Sequence, residues 1–152
     1  MFRNFMNRIF EPKTAKFSLD KLKQLHAQIN KHRHVTPDNQ HIVIETLRSI
    51  SELIIWGDQN DPALWDFFLE KNMLDYFFSV LEQESSTTTI KKQLIQTLSI
   101  MIQNLGTKNS LYFLLSNNKV NDLIGHEFDF GLDEELLAYY ITFLKTISHK
   151  LD

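Results

Sequence analysis

The chain has 152 residues, 43% of them hydrophobic, and its formal net charge at pH 7 is −3. This length and composition predict one ordinary domain with a real core, and they exclude disorder over most of the chain. The chain contains no cysteine and no apolar run near the roughly 18 residues of a transmembrane helix, so the sequence predicts neither disulfides nor a membrane-spanning helix.

Positive charge is concentrated at the N-terminal end. Residues 1–33 carry eight Lys or Arg and two acidic side chains, whereas residues 34–152 carry eight Lys or Arg and seventeen acidic side chains. The basic end therefore either faces an anionic partner or docks on the acidic body of its own or a neighbouring domain. We expect no nucleic-acid partner, because the pI is near 6.1 and no recognisable reading helix is present.

Residues 1–17 are predicted to form an amphipathic segment that precedes the domain. The first ten residues, MFRNFMNRIF, place apolar side chains at helical spacing beside Arg3 and Arg8. By default this pattern indicates a terminal helix that folds back on the domain, and the alternative is a helix that lies in a membrane interface. The candidate membrane contacts are Phe2, Phe5, Ile9 and Phe10.

Residues 18–152 predict an all-helical domain that begins with two helices. Ser18 suits the N-cap of the first helix, which is expected to run to about His32. Thr36 followed by Pro37 is a typical helix start, so the second helix is expected to begin there.

A corner between two helices is predicted in the string WGDQNDP. Gly57 is expected to end the second helix just after Trp56 with a positive φ, and the next three residues are expected to form a polar turn. Asp61 and Pro62 suit the N-cap and the first turn of a new helix. At the far end of that helix, Asn72 is expected to adopt a left-handed backbone conformation.

The remaining helices are predicted from apolar spacing and from the polar residues that interrupt it. In chain order we expect short helices over 62–71 and 73–82, a longer helix over 89–105, short helices over 110–115 and 119–124, and a final helix from Asp133 to about His149.

The order of these elements predicts an internal repeat. Gly57 recurs as Gly106 after 49 residues, and Asn72 recurs as Asn118 after 46 residues. Armadillo and HEAT repeats have periods of roughly 40–47 residues, and each repeat is a small group of helices stacked on the next. The predicted fold class is therefore all-α, with an armadillo- or HEAT-like α-solenoid arrangement.

Two polar clusters could carry chemistry, but each has an ordinary structural explanation. The four histidines between residues 26 and 41 lack the paired spacing of a structural zinc site, so we interpret them as surface or packing residues. Asp61 is explained as an N-cap and Asp58 as a turn residue. We therefore predict no catalytic residue, no metal site and no cofactor, and we expect a protein that is not an enzyme.

Aromatic strings predict surfaces that contact another helical layer or a partner. Neighbouring residues on a helix are about 100° apart, so consecutive aromatic side chains cannot all face one core. In the final helix, we expect Tyr139 and Phe143 on one side and Tyr140, Leu144 and Ile147 on the other. The candidate interface residues are Trp56, Asp58, Gln59, Asn60, Trp65, Asn117, Asn118, Phe128, Phe130, Tyr139 and Phe143.

Three segments carry a resemblance to a known family. They are LRSISELIIWGDQNDPALWDFFLEKNM, LLSNNKVNDLI and FDFGLDEELLAYYITFLKTIS. They resemble the N-terminal FPL domain of the endosomal-maturation-defective (Ema) proteins, a family that includes an animal protein misnamed a C-type lectin and a plant transparent-testa homologue. The resemblance covers about residues 17–152 and implies the same α-solenoid fold.

The resemblance also implies a function. Ema proteins are cytoplasmic adaptors, peripheral on endosomal and lysosomal membranes, that act in endosome-to-lysosome traffic, autophagy and mitophagy. The implied partners are membrane-tethering, small-GTPase or ubiquitin-ligase machinery. The alternative is a component of a ubiquitin-ligase assembly whose ligase chemistry lies outside this segment, since the chain has no cysteine to carry a thioester.

The chain departs from the Ema pattern in two respects. The Phe-Pro-Leu tripeptide that names the domain is absent from the sequence. Family members are also several times longer than this chain. We therefore expect either an N-terminal fragment or an abbreviated relative.

Overall fold

The computed structural model describes residues 17–116, 120–122 and 133–151, which contain helices and no strand. This confirms the all-α class. The four candidate membrane contacts, Phe2, Phe5, Ile9 and Phe10, lie outside the described residues. Residues 120–122 are helical, and the other helices are α1 (Leu19–Lys31), α2 (Gln40–Asn60), α3 (Pro62–Glu70), α4 (Met73–Glu82), α5 (Thr88–Asn104), α6 (Lys108–Leu115) and α7 (Glu134–Leu151).

Local capping chemistry starts several of these helices, as the sequence predicts. Ser18 accepts a hydrogen bond from the amide of Lys21, Asp61 accepts one from Ala63, and Pro62 occupies the first turn of α3. Each such cap contributes about 1 kcal/mol to stability because it satisfies an amide that has no partner inside the helix. Asp133 caps α7 in the same way, through a 2.8 Å hydrogen bond from the amide of Leu136.

The predicted boundaries of α2 are wrong at both ends. At the start, Thr36 and Asn39 bond each other reciprocally, each side chain accepting the other's amide at 2.7 and 3.2 Å. These bonds hold a separate turn, so α2 begins at Gln40 instead of Pro37. At the far end, the helix continues to Asn60, and the expected polar turn after Trp56 is its last turn.

The role predicted for Gly57 is also wrong. Gly57 lies inside α2, and its φ is outside the left-handed region. The position requires glycine because a Cβ there would lie 2.8 Å from Cβ of Leu64. Asn72, by contrast, has φ 50° and joins α3 to α4 in the left-handed conformation predicted for it.

Four helices pack in succession. Helix α1 packs on α2, α2 packs on α5, and α5 packs on α7, while the short helices α3 and α4 lie against this series. Two polar contacts tie α5 and its C-terminus to α7: Lys92 bonds the carboxylate of Glu135, and Lys150 donates to the carbonyl of Leu105. One continuous hydrophobic core runs through all of these helices.

The final helix buries a different set of side chains from the one predicted. Phe143 is buried on the same face as Tyr140 and Ile147, together with Leu136. These positions are separated by four, three and four residues, which is the spacing of one helix face. The predicted division that placed Phe143 opposite Tyr140 and Ile147 is therefore wrong.

Candidate protein-binding surface

The corner between α2 and α3 is built on close backbone packing. Because Gly57 has no side chain, the fully buried Leu64 of α3 lies directly on the last turns of α2. Trp65 follows and donates from Nε1 to the carbonyl of Ile54 at 3.2 Å. The two helices therefore meet through buried apolar contact and one buried hydrogen bond, with Asp61 as the cap between them.

The carboxylate of Asp58 links this corner to the start of α6. Its Oδ2 accepts hydrogen bonds from the amides of Gly106 at 2.7 Å and Thr107 at 3.2 Å. Its Oδ1 accepts one from the hydroxyl of Thr107 at 2.6 Å. One side chain in the last turn of α2 thus holds residues 48 and 49 positions further along the chain.

These contacts favour the charged form of Asp58. Burial alone would raise its pKa, but the hydroxyls of Ser110 and Thr107 and the amides of Gly106 and Thr107 lower the pKa of the carboxyl below its ordinary value. A carboxylate that stays ionised and accepts several hydrogen bonds is suited to a structural role and not to proton transfer near neutral pH. The structure thus gives Asp58 a role that differs from the turn residue predicted.

Other candidate residues at this corner are only partly available to a partner. Trp56 is half-buried and its ring stacks on Phe17, with centroids 5.5 Å apart. Gln59 and Asn60 are exposed. Trp65 is only 6% exposed and belongs to the core, so it does not contribute to an open surface.

A second surface lies on α7, next to the face that this helix buries. Leu137 and Ile141 are 46% and 44% exposed, and Leu151 is 66% exposed. Half-buried Leu144 lies between them on the helix, so the four side chains recur at steps of four, three and seven residues. We call these four residues the α7 stripe. Their spacing is that of a helix seam that packs on another helix.

The predicted interface residues fit this second surface incompletely. Tyr139 is half-buried, and Phe143 is buried in the core. Leu137 and Ile141 were not among the candidate residues, although their spacing with Leu144 is visible in the sequence. The remaining four candidates, Asn117, Asn118, Phe128 and Phe130, lie outside the described residues.

Within residues 17–116, 120–122 and 133–151, no three His, Cys, Asp or Glu side chains are grouped so that they could hold a metal ion. In the same ranges, no helix combines the length and the apolar character required to cross a bilayer.

The region that contains this corner and the α7 stripe matches a family profile. The profile is FPL, described as an uncharacterised conserved protein, and it matches residues 47–152. The chain belongs to the FPL family. This membership confirms the resemblance to the Ema proteins.

Individual FPL relatives come from animals and plants. The chain is 53% identical over 135 residues to Protein CLEC16A of Homo sapiens, which covers 89% of this chain and 13% of the relative. It is 48% identical over 154 residues to the Protein CLEC16A homolog of Caenorhabditis elegans, and the match covers 100% of this chain and 17% of the relative. It is 47% identical over 137 residues to Protein TRANSPARENT TESTA 9 of Arabidopsis thaliana, and the match covers 90% of this chain and 16% of the relative.

The FPL chain therefore spans between 13% and 17% of the length of these curated relatives. No solved structure matches it.

Proposed function

We propose that residues 18–152 form a non-enzymatic helical-repeat module that serves as an adaptor or scaffold in endosome-to-lysosome traffic, autophagy and mitophagy. Membership of the FPL family supports this proposal, because the resemblance to the Ema proteins implies a trafficking adaptor. Neither the family description nor the names of the relatives state an enzymatic activity.

The arrangement of helices supports a solenoid. The long helix α2 is followed by the short helices α3 and α4, and the long helix α5 is followed by α6 and the helical residues 120–122. The bonds from Asp58 to Gly106 and Thr107 join the corresponding ends of these two units. In a repeat array each unit contacts its neighbours in this way, so α7 would be the long helix of a third unit.

One observation carries the binding role: α7 buries one face on α5 and leaves three of the four residues of the adjacent α7 stripe exposed. A helix of a terminal repeat is covered by the next unit or by a cap. We propose that the α7 stripe packs on a further helical layer, which the longer relatives have room to supply.

The proposed setting is the cytoplasmic surface of endosomal and lysosomal membranes. Membrane-tethering, small-GTPase or ubiquitin-ligase machinery would be the partners, by resemblance to the Ema proteins. The basic residues 1–33 suit an anionic surface, and Phe2, Phe5, Ile9 and Phe10 would supply apolar contact.

The α7 stripe can be tested on the purified chain by sedimentation and by binding of a hydrophobic dye. The parent is expected to self-associate at high concentration or to bind the dye, and Leu137→Glu combined with Ile141→Glu should suppress both. Tyr112→Glu combined with Phe113→Glu is the matched control, because these side chains are 71% and 51% exposed and lie on α6, outside the stripe. If the parent sediments as a clean monomer and binds no dye, the α7 stripe is not a surface that packs on a further helical layer.

The cellular role needs a separate measurement. In cells whose own copy of the protein is replaced by the parent or by the stripe variant, delivery of an internalised fluorescent tracer to lysosomes is followed. The proposal predicts slower delivery with the stripe variant and parental delivery with the α6 control. Parental delivery by the stripe variant would remove this surface from the proposed function.

A further inference from the structure

A polar cleft lies on the side of the molecule where the C-terminal half of α1 meets the junction of α3 and α4. Its volume is about 350 Å³, which is within the range of sites for small ligands. His26 lines it from α1, Arg33 lines it from the residues just after that helix, and Lys71 lines it from the end of α3. The start of α4, where the helix dipole is positive, also borders the cleft.

The three basic side chains are close enough to affect one another. Burial lowers the pKa of His26, and the positive charges of Lys71 and Arg33 lower it further. Such mutual repulsion is unfavourable in the empty cleft and is relieved when an anion binds between the charges.

Within the described residues, neither Arg33 nor Lys71 makes a short hydrogen bond to an acidic side chain. The guanidinium of Arg33 donates to the neutral side chain of Asn30 at 2.6 Å. The ammonium of Lys71 lies 4.0 Å from a carboxylate oxygen of Glu70, beyond hydrogen-bond distance, and both side chains are well exposed. Each cation therefore keeps donors that a ligand in the cleft can use.

We propose that this cleft binds a phosphomonoester group, carried either by a small polyol phosphate or by the headgroup of a phosphorylated lipid. A phosphomonoester has a charge of about −1.5 to −2 at neutral pH and three strong acceptor oxygens. Arginine supplies a fork of donors for such a group, and lysine supplies a point charge. The cleft is larger than a phosphate alone, so the proposal includes a polar carrier that also contacts Ser79.

An acidic residue at the edge of the cleft allows the sign of the ligand's charge to be tested. Asp75 lies in the first turn of α4 and also lines the cleft. Its negative charge opposes an anionic ligand, so its removal should strengthen binding, whereas removal of Arg33 or Lys71 should weaken it. A cleft selective for a cation or for an uncharged ligand would not respond in this pattern.

Protonation of His26 gives a second readout. An anion favours the charged imidazolium, so binding should draw a proton onto His26, and this should strengthen binding as the pH falls from about 7.5 to about 5.5. The phosphomonoester itself loses charge near its second pKa of about 6, so the contribution of His26 is the difference between the parent and a variant without the imidazole. The other titratable groups that line the cleft with His26 are Arg33, Lys71, Asp75 and Tyr76. Tyr76 stays neutral in this range, because burial raises its pKa to about 12 while Arg33 acts in the opposite direction.

The test is a calorimetric titration of the full chain with an inositol trisphosphate, with myo-inositol as the uncharged counterpart. Arg33→Ala and Lys71→Ala should each weaken binding about tenfold, the usual scale of one charge-assisted contact. Asp75→Asn should strengthen binding, and His26→Gln should leave only the weakening at low pH that protonation of the ligand causes. Lys108→Ala is the control, because it removes one exposed positive charge on α6 outside the cleft.

Thermal melts of all variants establish that each is folded, and exposed Arg33, Lys71 and Asp75 can be changed without opening the core. Vesicles of phosphatidylcholine with and without a phosphatidylinositol phosphate then distinguish the two sources. Binding to the free compound but not to the vesicles assigns a soluble ligand, and binding to the phosphorylated vesicles, with or without the free compound, assigns a headgroup. If neither probe binds, or if Lys108→Ala weakens binding as much as Arg33→Ala, the cleft is not a phosphate site.

Discussion

Gly57→Ala tests whether the corner between α2 and α3 depends on close packing. The added Cβ would lie 2.8 Å from Cβ and 2.9 Å from Cδ1 of Leu64, whereas ordinary contacts of this kind begin at 3.4 Å. Cβ of Leu64 is attached to the backbone of α3, and Leu64 is 0% exposed. The contact can therefore be relieved only by a movement of α3 relative to α2.

Two opposing effects determine the size of the change. Replacing glycine by alanine inside a helix stabilises it by about 1 kcal/mol. Overpacking a core costs about 1–3 kcal/mol, and we expect the upper end because the contact involves a backbone-attached atom. The net loss of unfolding free energy is then about 2 kcal/mol, which lowers the melting temperature of a domain of this size by about 4–8 °C.

Gly106→Ala is the matched control for this measurement. A Cβ at Gly106 would meet the exposed amide end of the Gln59 side chain at 3.1 Å, and that side chain can move aside. Its effect should stay within about 0.5 kcal/mol. Thermal and urea unfolding of both variants gives the comparison. A Gly57→Ala variant as stable as the parent, or more stable, would refute the packing argument.

Two further predictions concern polar contacts between distant segments. Asp58→Ala removes the acceptor for Gly106 and Thr107 and should cost about 1–2 kcal/mol at neutral pH. Because the pKa of Asp58 is lowered in the folded protein, its contribution is complete above about pH 4 and is lost as the pH falls through the folded pKa, so urea unfolding should show a smaller acid loss in the variant than in the parent. Tyr76→Phe removes a 2.6 Å hydrogen bond to the carbonyl of His32 and should cost about 1 kcal/mol at neutral pH. The pKa of Tyr76 is raised to about 12, so its contribution is lost as the pH rises from about 10 toward 12, and an alkaline decline as steep in the variant as in the parent would contradict this assignment.

The sequence by itself determined the features that depend on neighbouring residues. Ser18, Asp61 and Asp133 cap helices because each side-chain oxygen reaches an amide two or three positions ahead, whatever the rest of the fold does. Asn72 turns the chain because asparagine tolerates the left-handed backbone that most residues avoid. Family membership was also accessible, because it is a property of the string of residues itself.

Only the tertiary structure decided the features that depend on distant residues. A glycine after an apolar helix is consistent with both a C-terminal stop and a close contact, and the position of Leu64 on Gly57 selects the contact. Likewise, Asp58 looks like a turn residue until residues 48 and 49 positions away are placed against its carboxylate. The cleft of His26, Arg33 and Lys71 has the same origin, since its charges come from helices that are adjacent only after folding.

The exposed face of α7 shows why periodicity alone could not identify which apolar side chains are exposed. Its apolar residues occupy more than one face, so the pattern is compatible with several choices of buried side. Packing on α5 selects Tyr140, Phe143 and Ile147 for the core and leaves Leu137 and Ile141 outside. Which apolar residues become buried is determined by the neighbouring helix, and the identity and position of that neighbour are properties of the fold.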